Sequence, residues 1–308
     1  MKHPGFKFGF LAVLCALLSI SAVSAIVVPT DPLSSASPGS GAISVSSVND
    51  NYPVSVDQAK DSIRLFVEDL SYNPVLWQTT SLPIGNYYVF SNEDSAFYVN
   101  QNSGVVEFAW FHKNAADSDV INLNRDQAYA KATEFAQKKY DGYGTTTWKL
   151  VTDKLGTVTN LRWNETSQQF ESYVGKEYQF TLREEKDRVL TPNFIHVHIN
   201  AATGMVSDWI GYNRLITVSL KPATTLSEAT QVAEEYYSGY INVDHIDGYL
   251  AVVIRAQNVE NLAWVVTVKG TYTGNNQYED SEMLIVDAQT GKVIGNSWTD
   301  IWPESQIL

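Results

Sequence analysis

The chain has 308 residues, of which 44% are hydrophobic, and its 34 acidic residues outnumber 21 basic ones. The formal net charge of −13 excludes nucleic acid as an expected partner and disfavours anionic membrane surfaces, because both repel an acidic protein. The single cysteine, Cys15, lies in the N-terminal apolar segment, which excludes disulfides, thiol catalysis and thiolate metal sites elsewhere in the chain.

Residues 1–25 are typical of a secretory signal, with a basic start, an apolar centre over Phe8–Ile20 and a small-residue cleavage site at Val23–Ala25. The uncharged run continues to Val28, so retention as a membrane anchor is the alternative to cleavage. A Ser-, Pro- and Gly-rich spacer follows over residues 26–54. We therefore expect a secreted or extracytoplasmic protein that contacts a membrane only through this segment, if it is uncleaved.

Beyond the spacer, three amphipathic helices are predicted to begin with a capping box, in which a short oxygen-bearing side chain precedes Gln or Glu at the third helical position. The pairs are Ser55 with Gln58, Asn124 with Gln127 and Thr225 with Glu228. Apolar residues then recur at helical spacing, which gives each helix one apolar stripe. We expect each apolar stripe to be buried against a β-sheet.

Each helix is followed, after intervening strands, by a glycine-centred hairpin turn: Asn100–Gly104, Asn200–Gly204 and Asp287–Gly291. A Gly after Ser or Thr indicates a left-handed position that closes a short hairpin. An aromatic residue follows on each exit strand. The assigned hairpin-forming residues are Gly104, Thr203, Gly204, Asp287, Thr290 and Gly291, and the aromatic residues are Trp110, Trp209 and Trp298.

Runs rich in β-branched and aromatic residues supply the predicted strands, so we predict an α+β fold of tandem units, each an amphipathic helix on an antiparallel sheet. The predicted units span residues 55–118, 119–215 and 216–308. The first unit is short enough to lack a strand pair, and we expect it to be incomplete or to rely on the second. Two separate strands are predicted within Trp148–Trp163.

The closing stretch Met283–Ile294, preceded by a strand at Ala263–Val268 and the helix at Ser227–Tyr240, resembles the PepSY family. That family combines an Ala-rich helix, an aromatic-x-Val strand and a hairpin of the form V-D-A-x-T-G-x-V. The middle copy, with Tyr178–Phe180 and His198–Val206, is similar to it and to the YcdB/YcdC-type tandem repeats.

The first copy departs from this hairpin at the Asp-Ala and Thr positions of Asn100–Gly104, so it is read as a degenerate PepSY-like unit. The resemblance implies small extracytoplasmic α+β domains with a peptidase-inhibiting or peptidase-assisting role. It transfers no catalytic residue and no cofactor, since the matching residues form turns.

The candidate metal ligands are His196 and His198, which alternate with apolar residues and therefore share one face of a strand. Two imidazoles on one face could hold zinc or copper if a carboxylate such as Asp208 or Glu185 came near. The alternative is that both rings lie on the solvent face of a half-buried strand, and this is what we expect.

Known catalytic fingerprints do not occur beyond the signal, and Asn242–Gly248 fails the register of a calcium loop, which favours a turn there. The leading hypothesis is a non-catalytic binding protein with a protein or peptide partner, reached through a sheet edge or an aromatic face. A structural cell-surface protein is the second hypothesis. A metal-dependent hydrolase using His196 and His198 is the last.

Overall fold

The computed structural model describes residues 53–82, 84–92, 94–164, 169–255, 259–273 and 279–296. The predicted signal, nearly all of the spacer and Trp298 lie outside these ranges. The described chain is a mixed α+β structure built on one large, mostly antiparallel sheet.

A helix followed by four consecutive strands occurs three times in the element order. The helices are α1 (Val56–Val67), α2 (Arg125–Lys139) and α3 (Leu226–Tyr237), with a short 3-10 helix at Tyr143–Thr145. The strands are β1 (Leu76–Leu82), β2 (Gly85–Ser91), β3 (Ala96–Asn100), β4 (Val106–Trp110), β5 (Thr147–Asn164), β6 (Gln169–Lys186), β7 (Val189–Asn200), β8 (Val206–Tyr212), β9 (Ile241–Arg255), β10 (Val259–Tyr272), β11 (Glu279–Asp287) and β12 (Val293–Gly295).

The helices begin where the capping signatures predict. Ser55, Asn124 and Thr225 are the N-caps, and in each case the side chains of the N-cap and the third helical residue bond reciprocally to backbone amides. Each helix buries one stripe, whose first member is an alanine. The buried residues are Ala59, Ile63 and Phe66 in α1, Ala128, Ala132 and Ala136 in α2, and Ala229, Ala233 and Tyr237 in α3.

The sheet joins the strand groups edge to edge. The strands run in the order β1-β2-β3-β4-β8-β7-β9-β10-β11-β12, and β6 and then β5 branch from β7. Strands β4 and β8, each the last of its group, pair antiparallel through Ala109 and Trp209. The third group touches the second through one parallel bridge, Leu190 with Ala251.

One core lies between the sheet and the helices α1 and α2. The ring of Trp209 from β8 lies 6.2 Å from Phe66 of α1 and 5.3 Å from Phe135 of α2. These two helices therefore share one hydrophobic cluster on the same side of the sheet. We call that side the helix side, and the opposite side of β1–β8 the helix-free side.

The helix-free side is also buried, and much of its core is aromatic. Its cluster includes Tyr87, Tyr98, Phe108 and Tyr212, joined by Ile254 from β9. Aromatic residues therefore pack on both sides of the sheet. The strands β9–β12 bury two further clusters, one of them against α3.

The structure corrects three expectations about the strands. The first group has four strands, because the polar segment Leu76–Leu82 forms β1. The two strands predicted within Trp148–Trp163 are one continuous strand, β5, which Gly156 does not interrupt. The expected turn at Asn242–Gly248 belongs to β9 and pairs with β10.

Candidate functional site

The three hairpin turns have the same hydrogen bonds. The side-chain oxygen of Asn100, Asn200 or Asp287 accepts bonds from the two amides that follow it by two and three positions. The amides of Gly104, Gly204 and Gly291 donate back to the carbonyl of that same residue, at 2.8 Å in each turn. Thr203 and Thr290 occupy the position before the glycine, and their amides are among these donors.

Each turn also holds the chain that leads into its helix. The carbonyl of Gln101 accepts from the amide of Val54, and the carbonyl of Ala201 accepts from Asn122 and Leu123. The carbonyl of Ala288 accepts from Ala223 and Thr224 in the same way. The turn residues therefore position helices, and nothing in their geometry indicates chemistry.

Of the two candidate metal ligands, His196 is buried and His198 is partly buried, which contradicts their expected place on a solvent face. His196 is 7% exposed and the side chain of His198 is 16% exposed. They do share one face, with ring centroids 4.7 Å apart. That face is the helix-free side of β7, and loop residues 112–118 cross it. The amide of Ala116 donates to Glu177, and Asn200 donates to the carbonyl of Asn114.

The rings form a closed chain of hydrogen bonds with β6. The Nε2 atoms of His196 and His198 lie 2.8 Å apart. Nδ1 of His196 lies 2.8 Å from Oγ1 of Thr181, and Nδ1 of His198 lies 3.1 Å from Oε2 of Glu177. The contacts are satisfied with both rings neutral, when Nε2 of His196 and the Thr181 hydroxyl donate, and equally when His198 carries both ring protons and His196 carries one, on Nδ1. We assign the second arrangement.

The electrostatics agree with this assignment. Burial, the positive charge of His198 and that of Lys154 lower the pKa of His196 well below its usual value. Burial also acts to lower the pKa of His198, but the hydrogen bond to Glu177 and the charges of Asp208 and Glu177 outweigh it, so that pKa is raised. Of the two rings, His198 is therefore the one that favours the positive charge.

Two carboxylates complete the cluster. Burial acts to raise the pKa of Glu177, but the hydrogen bonds from His198 and the Ala116 amide outweigh it, so its pKa is lowered. Asp208 is the cross-strand partner of His198. Burial raises the pKa of Asp208 to about 6, and its Oδ1 is buried with no hydrogen-bond partner among the described residues.

This cluster is confined to the second strand group. Counting back two residues from the first residue of each turn gives Tyr98, His198 and Ile285. Their cross-strand partners are Phe108, Asp208 and Gly295. The same positions are thus aromatic in the first group and apolar or glycine in the third, so the charged cluster is not required by the turn itself.

The arrangement does not present a ready metal site. All four ring nitrogens of the pair already lie within hydrogen-bonding distance of a partner. Within the described ranges, no group of three or more His, Cys, Asp or Glu side chains is placed to hold a metal ion. Glu185 pairs with Thr147 and Leu190 at a different place on the sheet, and Glu177 takes the contact that was expected of Asp208 or Glu185.

Glu177 and Thr181 were not anticipated from the sequence. They lie on β6, across from Asn200 and His196. The available signal was the alternation of Glu177, Gln179 and Thr181 with apolar residues, which places these polar side chains on one face. Nothing in that alternation says that loop 112–118 covers the face.

The second notable feature is the free edge of β5. Its residues pair with β6 from Thr147 to Asn164, and no other described strand pairs with its other side. At 18 residues it is much longer than the edge strands β1, with 7, and β12, with 3. Val151 and Leu155 on β5 are 44% and 41% exposed.

No protein-family model matches the chain. No curated protein is significantly similar to it in sequence. Among solved structures, the Bacillus megaterium YpeB C-terminal domain matches over 80% of this chain and 98% of its own, with 16% identity and a TM-score of 0.42. An uncharacterized protein from Eubacterium rectale matches over 79% of this chain and 84% of its own, with 14% identity and a TM-score of 0.41. Likenesses this distant assign neither family nor function.

Among the described helices, none has both the length and the apolar character needed to span a bilayer.

Proposed function

We propose that this protein is a non-catalytic, extracytoplasmic protein of tandem PepSY-like units that binds an extended polypeptide by strand addition to β5. The observation that carries the proposal is the unpaired edge of β5. The N–H and C=O groups along such an edge are a template for another strand. A peptidase or its substrate is the class of partner that the PepSY resemblance favours.

Natural proteins usually protect an edge strand with charged side chains, lysine above all, with proline or with a bulge. Strand β5 contains no proline. Its one irregularity in pairing lies between Leu150 and Thr152, and the register then continues without a break to Asn164. The stretch after Thr152 therefore remains a regular, unpaired edge without proline or a bulge, and Lys154 is the lysine on it.

The histidine cluster supports a scaffold role for this region. Glu177, Thr181, His196 and His198 bond to one another across β6 and β7, and Glu177 also holds the loop at Ala116. Because β6 is the only described strand that pairs with β5, this network stiffens the base of the proposed binding edge.

The test uses a phage-displayed library of short peptides selected on the whole protein. Hydrogen exchange with a selected peptide should slow at alternate amides of β5, because every second N–H of an edge strand points outward. Protection confined to other strands, or the failure of any peptide to bind, would overturn the proposal.

Proline substitutions sharpen the test. Thr157 and Val158 are consecutive, so one of the substitutions Thr157→Pro and Val158→Pro removes an N–H that points to solvent and the other removes an N–H directed at β6. The variant that loses the solvent-facing N–H should fold normally and lose peptide binding. Thr79→Pro and Thr80→Pro on β1 are the matched controls, and the one that loses a solvent-facing N–H should bind peptide like the unsubstituted protein.

A further inference from the structure

The charges beside the β5 edge differ from those of the rest of the molecule. Strand β5 carries Lys149 and Lys154, both exposed, in a chain of net charge −13. No ion pair joins either lysine to another described residue. The one acidic residue of β5, Asp153, already pairs with Arg125 of α2 at 2.6 Å.

The pairing register places the two lysines on one side of the sheet. Lys149 lies opposite Arg183, and Lys154 lies opposite Gln179. Since Arg183 and Gln179 alternate with the helix-side residues Phe180 and Leu182, both lysines face the helix-free side. The helix side of the same edge presents Leu155, opposite the core residue Tyr178.

A strand added to this edge would place its own side chains alternately on these two sides. Neighbours of Lys149 and Lys154 would lie within cross-strand distance, where opposite charges attract and like charges repel. Neighbours of Leu155 would lie against an apolar surface. The edge strand β1 offers no such pattern, because Leu76–Leu82 contains no charged residue.

Resting on the proposed function, we infer that the β5 edge takes an extended peptide segment in which acidic side chains alternate with apolar ones. The acidic side chains lie beside Lys149 and Lys154 on the helix-free side, and the apolar ones lie beside Leu155. A second copy of β5 fits less well, because antiparallel self-pairing would bring a basic strand against a basic strand.

The experiment compares three short synthetic peptides in which valine alternates with glutamate, with glutamine or with lysine. Binding to the whole protein is followed by fluorescence anisotropy at low and high salt. A cross-strand pair of opposite charge changes affinity roughly two- to fivefold, so two pairs should favour the glutamate peptide over the lysine peptide by about tenfold or more. Salt should reduce the difference, because the lysines are exposed.

The charge-reversal variant Lys149→Glu/Lys154→Glu should reverse the order of the peptides. The matched control is Lys269→Glu, an exposed lysine on β10, which is paired on both sides and offers no free edge. This control should leave the order unchanged.

The outcomes distinguish a failure of the preference for acidic peptides from a failure of strand addition itself. Equal affinity for the three peptides, with binding still lost in one β5 proline variant, would overturn the acidic preference and leave strand addition standing. Binding that survives both proline variants, or no binding by any peptide, would overturn strand addition itself. A dimer in analytical ultracentrifugation that either β5 proline variant abolishes would replace the peptide by a second copy of the chain.

Discussion

The three turn glycines share a backbone conformation and differ in their surroundings. Their φ angles are +73° at Gly104, +74° at Gly204 and +71° at Gly291, where an L side chain costs roughly 1–2 kcal/mol. A Cβ added at Gly204 would lie 2.7 Å from Cε of Lys131 and 3.0 Å from Cδ2 of Leu123. At Gly291 its nearest neighbour would be Cγ2 of Thr224, at an ordinary 3.7 Å.

We therefore expect Gly291→Ala to lower the free energy of unfolding by the backbone term alone, roughly 1–2 kcal/mol. Gly204→Ala should lower it somewhat further, because the side chain of Leu123 must give way and that of Lys131 must change rotamer. Urea unfolding of both variants checks this order. Gly239→Ala, at a glycine with no atom within 4 Å of the added Cβ and no positive φ, is the control. Equal losses at Gly204 and Gly291 would contradict the crowding argument.

The buried histidines predict a pH dependence with a defined sign. The pKa of His198 is raised in the folded protein, so its charge contributes stability that is fully present below about pH 6.5 and is lost as the pH rises through the folded value. His198→Gln should thus lower the free energy of unfolding by roughly 2 kcal/mol in mildly acidic solution and by less in alkaline solution.

Urea titrations of both proteins across this pH range provide the measurement. His245→Gln, on an exposed residue of β9, serves as the control for the change from histidine to glutamine itself. A loss at His198 that grows toward alkaline pH would show that the ring is not the protonated member of the pair.

The sequence correctly identified the two histidines of the cluster but predicted a solvent-exposed environment for them. Alternation correctly put His196 and His198 on one face, because side-chain direction has a strict period of two along a strand. It could not predict their burial, because loop 112–118 reaches this face from a distant part of the chain. It could not identify Glu177 either, whose contact with His198 depends on the register between β6 and β7.

Among the elements, the paired strands β4 and β8 connect the helices α1 and α2, which lie on the same side of the sheet. Trp209, 1% exposed, contacts Phe66 of α1 and Phe135 of α2, and these two rings lie 5.9 Å from each other. Trp209→Ala should therefore destabilise both helices together, by roughly 3–5 kcal/mol. The measurement is hydrogen exchange resolved by element.

In that experiment, exchange should accelerate in α1 and α2 alike and remain slow in α3. The control is Trp264→Ala, because Trp264 packs with the α3 cluster and donates to the carbonyl of Thr224. It should accelerate exchange in α3 alone. Faster exchange of α2 without α1 after Trp209→Ala would mean that the two helices do not share one core.

Helix starts were predictable because a capping box is a local pattern with a local cause. Strand β1 was not, because Leu76–Leu82 is a half-exposed edge strand that gains its place by pairing with β2. Strand β5 was predicted as two strands, and Gly156 lies between them. Glycine weakens the interior of a strand, but pairing with β6 on both sides of Gly156 keeps β5 continuous.

In the whole molecule, the strand groups are coupled to different degrees. The first and second share the cluster around Trp209, the β4–β8 pairing and an ion pair between the buried Glu107 and the partly buried Arg214. The third has its own core against α3 and meets the second through the bridge between Leu190 and Ala251, with smaller clusters on either side. We therefore expect the first two strand groups to unfold together and the third to unfold separately.

We therefore expect a fragment of residues 53–215 to fold with a single unfolding transition, because it keeps the shared core intact. Residues 216–308 should fold as a second, less stable unit, because α3 and β9–β12 bury their own cluster. Residues 53–118 alone should remain unfolded, since Phe66 would lose the cover that Trp209 and Phe135 provide. Circular dichroism and limited proteolysis of the three fragments give the answer. A folded 53–118 would show that the first strand group is an independent domain, whereas an unfolded 216–308 would make the whole chain one cooperative body.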